Sequence, residues 1–235
     1  MKHILDTTAG MPASTESAGS WESIRYLPSS TPALRHNLYR LWKRGLDLAV
    51  CVAAAPLWLP VLLAVSTAIR VRLGRNVLFR QARVGLREKV FTLYKFRTMT
   101  AQTDASGALL PDEQRLTAFG SFLRRTSLDE LPQLWNVITG DMALVGPRPL
   151  VPEYLTRYNW LQRRRHDVVP GITGWAQIHG RNELPWEQKF EYDLWYVENC
   201  GMLVDLKILL YTVAKVLRGE GINRQGHATA PEFRG

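Results

Sequence analysis

Residues 48–69 read "LAVCVAAAPLWLPVLLAVSTAI", a run without a single charged side chain. Its length matches the ~20 apolar residues that a helix needs to cross a bilayer. Two features argue against a simple crossing. Pro56 and Pro60 stand near the middle, and each removes a backbone donor and favours a kink. The flanks are basic on both sides, with Arg35, Arg40, Lys43 and Arg44 before the run and Arg70, Arg72, Arg75 and Arg80 after it. Positive flanks mark the cytoplasmic side of a membrane, so both ends ask for the same side. The reading is a helix that enters, breaks at Pro56 and Pro60, and returns over 38–75. An ordinary single span and a buried core helix are the alternatives.

The bulk composition agrees with a membrane-surface protein. Lys and Arg number 30 against 21 Asp and Glu, a net charge of +9 and a pI near 9.8. That excess calls for an anionic partner: anionic lipid, a phosphorylated substrate or nucleic acid. Each flanking cation adds about 1 kcal/mol of attraction to an anionic leaflet. Nucleic acid is disfavoured, because the basic residues flank an apolar run instead of interleaving with aromatics on a soluble face. Cys51 and Cys200 match no metal or redox spacing. Before the apolar run, "TTAGMPASTESAGS" is small and polar, the composition of a segment that does not offset its ordering entropy. An extension is expected over 1–37, and it is not a secretory signal peptide, since no apolar region follows the start.

Beyond the run, "NVLFRQARVGLREKVFTLYKFRTM" partly alternates and carries a turn-like "RVGLRE", so a β-hairpin is expected over 77–98. "TAQTDASGALLPDEQR" is a loop. Helices are expected over 116–125, 128–138 (closed by Gly140), 151–165, 186–199 and 203–218, the last stopping at Gly219 and Gly221. The 151–165 segment carries Trp160 with Arg163, Arg164 and Arg165. It reads either as a solvated basic face or as an interfacial helix, with the aromatic at headgroup depth and the cations on phosphates. The fold class expected is helix-dominated α+β: a re-entrant membrane helix on a cytoplasmic catalytic domain, over 76–235, with a small hairpin and interfacial helices.

One window carries chemistry. "RRTSLDELPQLWNV" sets Asp129 beside Glu130. Ser127 and Glu130 fit a capping box, S-x-x-E, and acids suit a helix's first turn. A reaction centre is the other reading. Lys95 and Arg97 in "YKFRTM", Arg124 and Arg125 just upstream, Arg148 in "GPRP" and Arg181 in "GRN" would suit a phosphoanhydride if they converged on the pair. The prolines on both sides of Arg148 pre-position its guanidinium for a bidentate phosphate contact.

Four ordered motifs, "KFRTM", "SLDELPQLWNV", "GDMALVGPRP" and "PGITGWAQIHGRN", together with the basic-flanked apolar run, resemble the bacterial sugar transferases, the monotopic polyprenyl-phosphate phosphoglycosyl transferases. Length and the ending "GHATAPEFRG" look most like the short single-domain members, among them the initiating transferase of bacterial protein N-glycosylation. The resemblance implies a two-step reaction at the inner membrane's cytoplasmic face. The Asp129 carboxylate attacks the β-phosphorus of a UDP-sugar and releases UMP, and polyprenyl phosphate then attacks the sugar-phosphoryl-aspartate. It further implies Mg²⁺ held by Glu130 and phosphate contacts from Arg148 and Arg181, with Lys95 and Arg124 in matching motifs. A helix N-terminus is expected to keep Asp129 ionised. The family often places Ser–Pro at the helix break where this chain has Leu59–Pro60, so no hydroxyl is on hand there for a freed carbonyl. The alternative to an enzyme is a membrane-surface binding protein using basic patches on anionic lipid.

Overall fold

The computed structural model describes residues 33–180, 184–218 and 232–235. Arg181, the stop at Gly219 and Gly221, and most of the expected extension lie outside those residues. Helix α1 (Ala33–Ala53) begins within the stretch assigned to that extension, and α2 (Ala55–Leu73) follows it. The two helices meet at Ala54. The position follows from backbone chemistry. Pro56 has no N–H and suits the first turn of a helix, where none is required. Ala54's carbonyl then accepts from both Leu57 (2.9 Å) and Trp58 (3.1 Å). The Trp58 indole N–H donates to the Cys51 carbonyl at 2.9 Å, a contact of the kind that a serine hydroxyl could make and Leu59 cannot. Pro60 lies inside α2 and not at the break. A missing N–H there forfeits one helical bond without ending the helix, so the break belongs to Pro56 alone.

By length and composition α2 is one helix, among the described residues, able to cross a membrane, with a mean hydropathy of 1.4. Leu57, Leu59, Val61 and Leu63 are exposed on it, whereas Val65 and Ile69 pack on Phe96 and Leu123. α1 is two-faced in another way. Leu38, Leu41, Trp42, Leu46 and Val50 are exposed, and its opposite side meets the body of the protein. There Lys43 (2.5 Å), Tyr39 (2.8 Å) and, from much later in the chain, Tyr196 (2.7 Å) all donate to Asp205. A buried carboxylate is tolerable only when so satisfied.

Strands β1 (Leu78–Val84) and β2 (Val90–Phe96) form the expected antiparallel hairpin, with Leu78 opposite Phe96 and Val84 opposite Val90. The connecting 3-10 turn, Leu86–Glu88, takes positive φ at Arg87 (52°) and Glu88 (62°). The following loop contains one helical turn, α3 (Asp112–Arg115). α4 (Ala118–Arg125) is capped by Thr117, whose hydroxyl accepts from the Gly120 N–H at 2.9 Å. The helix expected over 128–138 is divided. Ser127 sits in the left-handed region (φ 56°) with no side-chain cap, a 3-10 turn spans Leu128–Glu130, and α5 (Gln133–Thr139) starts only after Pro132. No capping box forms, because Glu130 spends its carboxylate elsewhere. Gly140 (φ 94°) ends α5 as expected, and Arg44 of α1 donates to the carbonyls of Val137 and Ile138 at that end.

Strand β3 (Ala143–Val145) pairs in parallel with β4 (Gly171–Thr173), a contact with no sequence signal in three-residue strands. The single helix expected over 151–165 is instead a 3-10 turn at Pro152–Tyr154, then α6 (Trp160–Arg163), then a 3-10 turn at Arg164–Asp167. Asn159 and Gln162 make a capping box that starts α6 afresh. The basic face dissolves as well. Arg163 pairs with Glu88 (2.9 Å), Arg164 with Glu198 (3.1 Å), and Arg165 is buried against Asp193 (2.6 Å). Trp160 does remain exposed. α7 (Trp175–His179), α8 (Trp186–Asn199) and α9 (Met202–Arg218) complete a helix-dominated α+β fold.

Candidate active site

Three segments distant in sequence bring the site together. The first is β2, which carries Lys95. Its placement depends on Asn136 of α5, which accepts from the Tyr94 N–H (3.1 Å) and donates to the Thr92 carbonyl (2.8 Å). Asn136 is fully buried, and it belongs to the same motif, "SLDELPQLWNV", as the acidic pair. The second is the 3-10 turn with Asp129 and Glu130. The third is the loop with Arg148. A Cβ on Gly146 would lie 2.3 Å from the Val169 carbonyl, and one on Gly171 would lie 2.0 Å from the Gly146 nitrogen. Only glycine allows this approach. The Arg148 carbonyl also accepts from Arg165 at 2.7 Å, so the buried Arg165–Asp193 pair braces the loop that holds Arg148.

Glu130 is the meeting point. Its Oε1 accepts from Lys95 Nζ at 2.8 Å and from Arg148 Nη2 at 2.7 Å. Both cations sit on one oxygen, and among the described residues Oε2 accepts no hydrogen bond. Burial works to raise the Glu130 pKa, but Arg148 and Lys95 outweigh it and hold the carboxyl well below the usual carboxylate range. Glu130 is therefore ionised throughout the physiological range. Asp129 moves the other way. Burial first, then the negative charge of Glu130, lift it to about 6, with Lys95, Arg148 and Arg124 pulling against the rise. Asp129 is still ionised at neutral pH, but not through a helix N-terminus as expected: it lies in the 3-10 turn ahead of α5, which begins beyond Pro132. Adjacent carboxyls driven apart in this manner are a mark of catalytic sites.

Arg124, on α4, donates to the Thr98 hydroxyl at 3.1 Å and acts electrostatically on Asp129. Burial draws both the Arg124 and the Lys95 cations below their ordinary pKa values. α4 reaches this position because Gly120 lies under the Thr98 carbonyl, which a Cβ would meet at 1.8 Å. Of the residues singled out in the sequence, Lys95, Arg124, Asp129, Glu130 and Arg148 are thus brought together, and Pro56 and Pro60 lie in the helical pair away from them. Arg83 and Gln133 went unremarked in the sequence, although with Leu93, Lys95, Arg148 and Pro149 they line a narrow cleft beside Glu130. An arginine on an alternating strand carries no signal to find it by, whereas Gln133 stands inside the motif "SLDELPQLWNV".

A metal would have few protein donors here. Among the described residues no cluster of three or more His, Cys, Asp or Glu side chains exists. The donor set that does fit a hard cation is the acidic pair, with Glu130 Oε2 and Asp129, completed by oxygens from a phosphate substrate. Magnesium sites are commonly of that kind, with one or two carboxylates and the rest from phosphate and water.

The chain's similarities agree with this chemistry. Residues 38–219 match the family model for bacterial sugar transferases. The sugar transferase EpsL of Bacillus subtilis is 53% identical over 193 residues, covering 82% of this chain and 96% of that protein. The UDP-glucose:undecaprenyl-phosphate glucose-1-phosphate transferase of Xanthomonas campestris is 40% identical over 177 residues, 71% of this chain but 36% of the relative. A UDP-N-acetylgalactosamine-undecaprenyl-phosphate N-acetylgalactosaminephosphotransferase of Aeromonas hydrophila is 36% identical over 192 residues, 78% of this chain and 45% of the relative. The chain thus spans nearly all of the first and less than half of the other two. It belongs to the bacterial sugar transferase family.

Proposed function

We propose that this protein transfers a sugar-1-phosphate from a UDP-sugar to a polyprenyl phosphate such as undecaprenyl phosphate, releasing UMP, at the cytoplasmic face of a bacterial inner membrane. The observation that carries the reading is the split acidic pair under three converging cations. Two relatives are named as transferases of this kind, one for glucose and one for N-acetylgalactosamine. The broken helix α1–α2 with basic residues at both ends supports a re-entrant, monotopic seat in the bilayer.

In the first step an Asp129 carboxylate oxygen forms a bond to the β-phosphorus of the donor, and the bond from that phosphorus to the bridging oxygen of UMP breaks. UMP leaves with the electron pair. In the second step an oxygen of the lipid phosphate attacks the same phosphorus and Asp129 departs as carboxylate. A pKa near 6 suits both roles: the group is deprotonated at neutral pH, yet its charge is poorly solvated and therefore nucleophilic. Glu130 holds Lys95 and Arg148 in place beside the phosphates, and those cations take up charge that develops as the bond to UMP breaks. Arg181 is a further phosphate contact in this reading, resting on its motif alone. Mg²⁺, bound through Glu130, would supply further neutralisation of the diphosphate.

The test is donor-only incubation of the full chain in lipid nanodiscs, across UDP-glucose and UDP-N-acetylhexosamines. Mass spectrometry should find a sugar-phosphoryl adduct on Asp129 and one UMP released per active site. An active preparation with no adduct, or with one on another residue, ends this mechanism.

A further inference from the structure

The cleft beside Glu130 has features that the reaction as described does not use. On β1, Arg83 donates from Nη2 to the Gln81 side chain (2.7 Å) and from Nη1 to the Pro149 carbonyl (3.2 Å). Its third donor, Nε, is buried and has no partner among the described residues. The amide nitrogen of Gln133, in a side chain only 2% exposed, is likewise buried and unpartnered. Both residues line the same narrow cleft, whose other polar walls are Lys95 and Arg148 and whose apolar walls are Leu93 and Pro149. A buried N–H without an acceptor costs about 1–3 kcal/mol, so two of them on residues that line one cleft need an explanation.

The charge around the cleft says what kind of acceptor is missing. Three cations border it, and Glu130 serves two of them, Lys95 and Arg148. Among the described residues, Arg83 has no carboxylate as a hydrogen-bond partner. Burial, and then the charge of Arg148, draw its pKa down to about 10. A water molecule would satisfy the two donors and leave the excess charge untouched. An anion answers both needs.

We propose that Arg83 and Gln133 form a second phosphate subsite, which receives an oxygen of the substrate phosphate that is not under attack by Asp129. This rests on the transferase reading above. The occupant is a phosphate oxygen from one of two sources, the UMP portion of the donor or the phosphate of the lipid acceptor. Arg83 adds a positive charge that, among the described residues, no carboxylate hydrogen-bonds. Gln133, at the start of α5, supplies a neutral donor whose position is fixed by burial.

The experiment uses the full chain in nanodiscs, with Arg83→Gln and Gln133→Glu compared with wild type. The second change is isosteric and places a fixed carboxylate where the anion would sit, so it decides the matter if Arg83→Gln does not fold. Inorganic phosphate and UMP serve as calorimetric probes, and KM is measured separately for the UDP-sugar and for undecaprenyl phosphate. Both variants should weaken inorganic phosphate binding roughly 10–100-fold, the loss expected for one charge-assisted hydrogen bond. Weaker UMP binding with a raised donor KM assigns the subsite to the nucleotide. Unchanged UMP binding with a raised acceptor KM assigns it to the lipid phosphate. Arg83→Lys should recover part of the loss. Folded variants that bind phosphate and UMP within about twofold of wild type, with both KM values unmoved, overturn the proposal. Loss of phosphate binding in a protein that forms no adduct on Asp129 upholds the subsite and rejects the covalent mechanism instead.

Discussion

Two arginine–carboxylate pairs lie back to back in this molecule and behave differently. Arg165 and Asp193 are closed off, with side chains 3% and 5% exposed. The Arg165 fork grips Asp193 with two nitrogens, and one of them also reaches the Arg148 carbonyl. Arg148 and Glu130 sit at the mouth of a cleft, at 44% and 19% exposure, with Lys95 crowded onto the same oxygen. The first pair is shut away from solvent, with two Arg165 nitrogens on the single oxygen Asp193 Oδ2. The second is open to solvent, with two different cations on the single oxygen Glu130 Oε1. Site and scaffold are told apart here by exposure, not by charge content.

The sharpest way to test that contrast is to remove the nucleophile. Asp129→Asn should lower UMP release by roughly 10³–10⁶-fold, the range seen when a covalent nucleophile is lost. Its fold should survive and even gain. The folded-state pKa near 6 lies above the unfolded value of 3.8, so ionised Asp129 costs stability at neutral pH. That cost is fully present above about 6 and fades as pH falls through the folded pKa towards the unfolded one. Melting curves of Asp129→Asn should therefore show a gain at pH 8, on the order of 1–3 kcal/mol, that disappears near pH 4.

Next in size are the two pairs themselves. Asp193→Asn leaves a buried guanidinium without its counter-charge and should cost about 3–5 kcal/mol in denaturant titrations. Arg148→Ala should change stability by less than about 1 kcal/mol, since Lys95 still serves Glu130. Its loss should appear in turnover, by roughly 10²–10³-fold. The reverse pattern, a stable Asp193→Asn and an unfolded Arg148→Ala, would exchange the roles assigned to the two pairs.

A smaller effect is the pH profile. With Glu130 ionised throughout, donor-only UMP release by wild type should rise with pH through a single step near 6, the pKa of Asp129. Arg148→Ala removes a positive neighbour and should move that step upward. The smallest effect completes the series at the surface. Arg163 and Glu88 pair at 45% and 35% exposure, and Arg163→Ala should cost less than about 1 kcal/mol and leave activity alone.

Local chemistry was readable where the chain carries its own reason. The hairpin at β1 and β2 follows from alternation, and Gly140 ends a helix by residue type. Errors arose where a distant partner outbid a local one. Ser127 and Glu130 spell a capping box, but Lys95 and Arg148 hold the Glu130 carboxylate and Ser127 turns left-handed. Arg165 looked like part of a basic face, and Asp193 buries it. None of these three partners is near in sequence, so no local pattern could have disclosed them.

From residue order alone came the apolar run with its basic flanks, the acidic pair in its motif and the family that those motifs resemble. Each is written in adjacent residues and needs no contact to be seen. Tertiary structure alone decided that Asp129 is pushed up while Glu130 is held down, that Trp58 closes the helix break, and that Arg83 and Gln133 share one cleft. Those outcomes are set by burial and by charges a few ångströms apart, and separation along the chain says nothing about either.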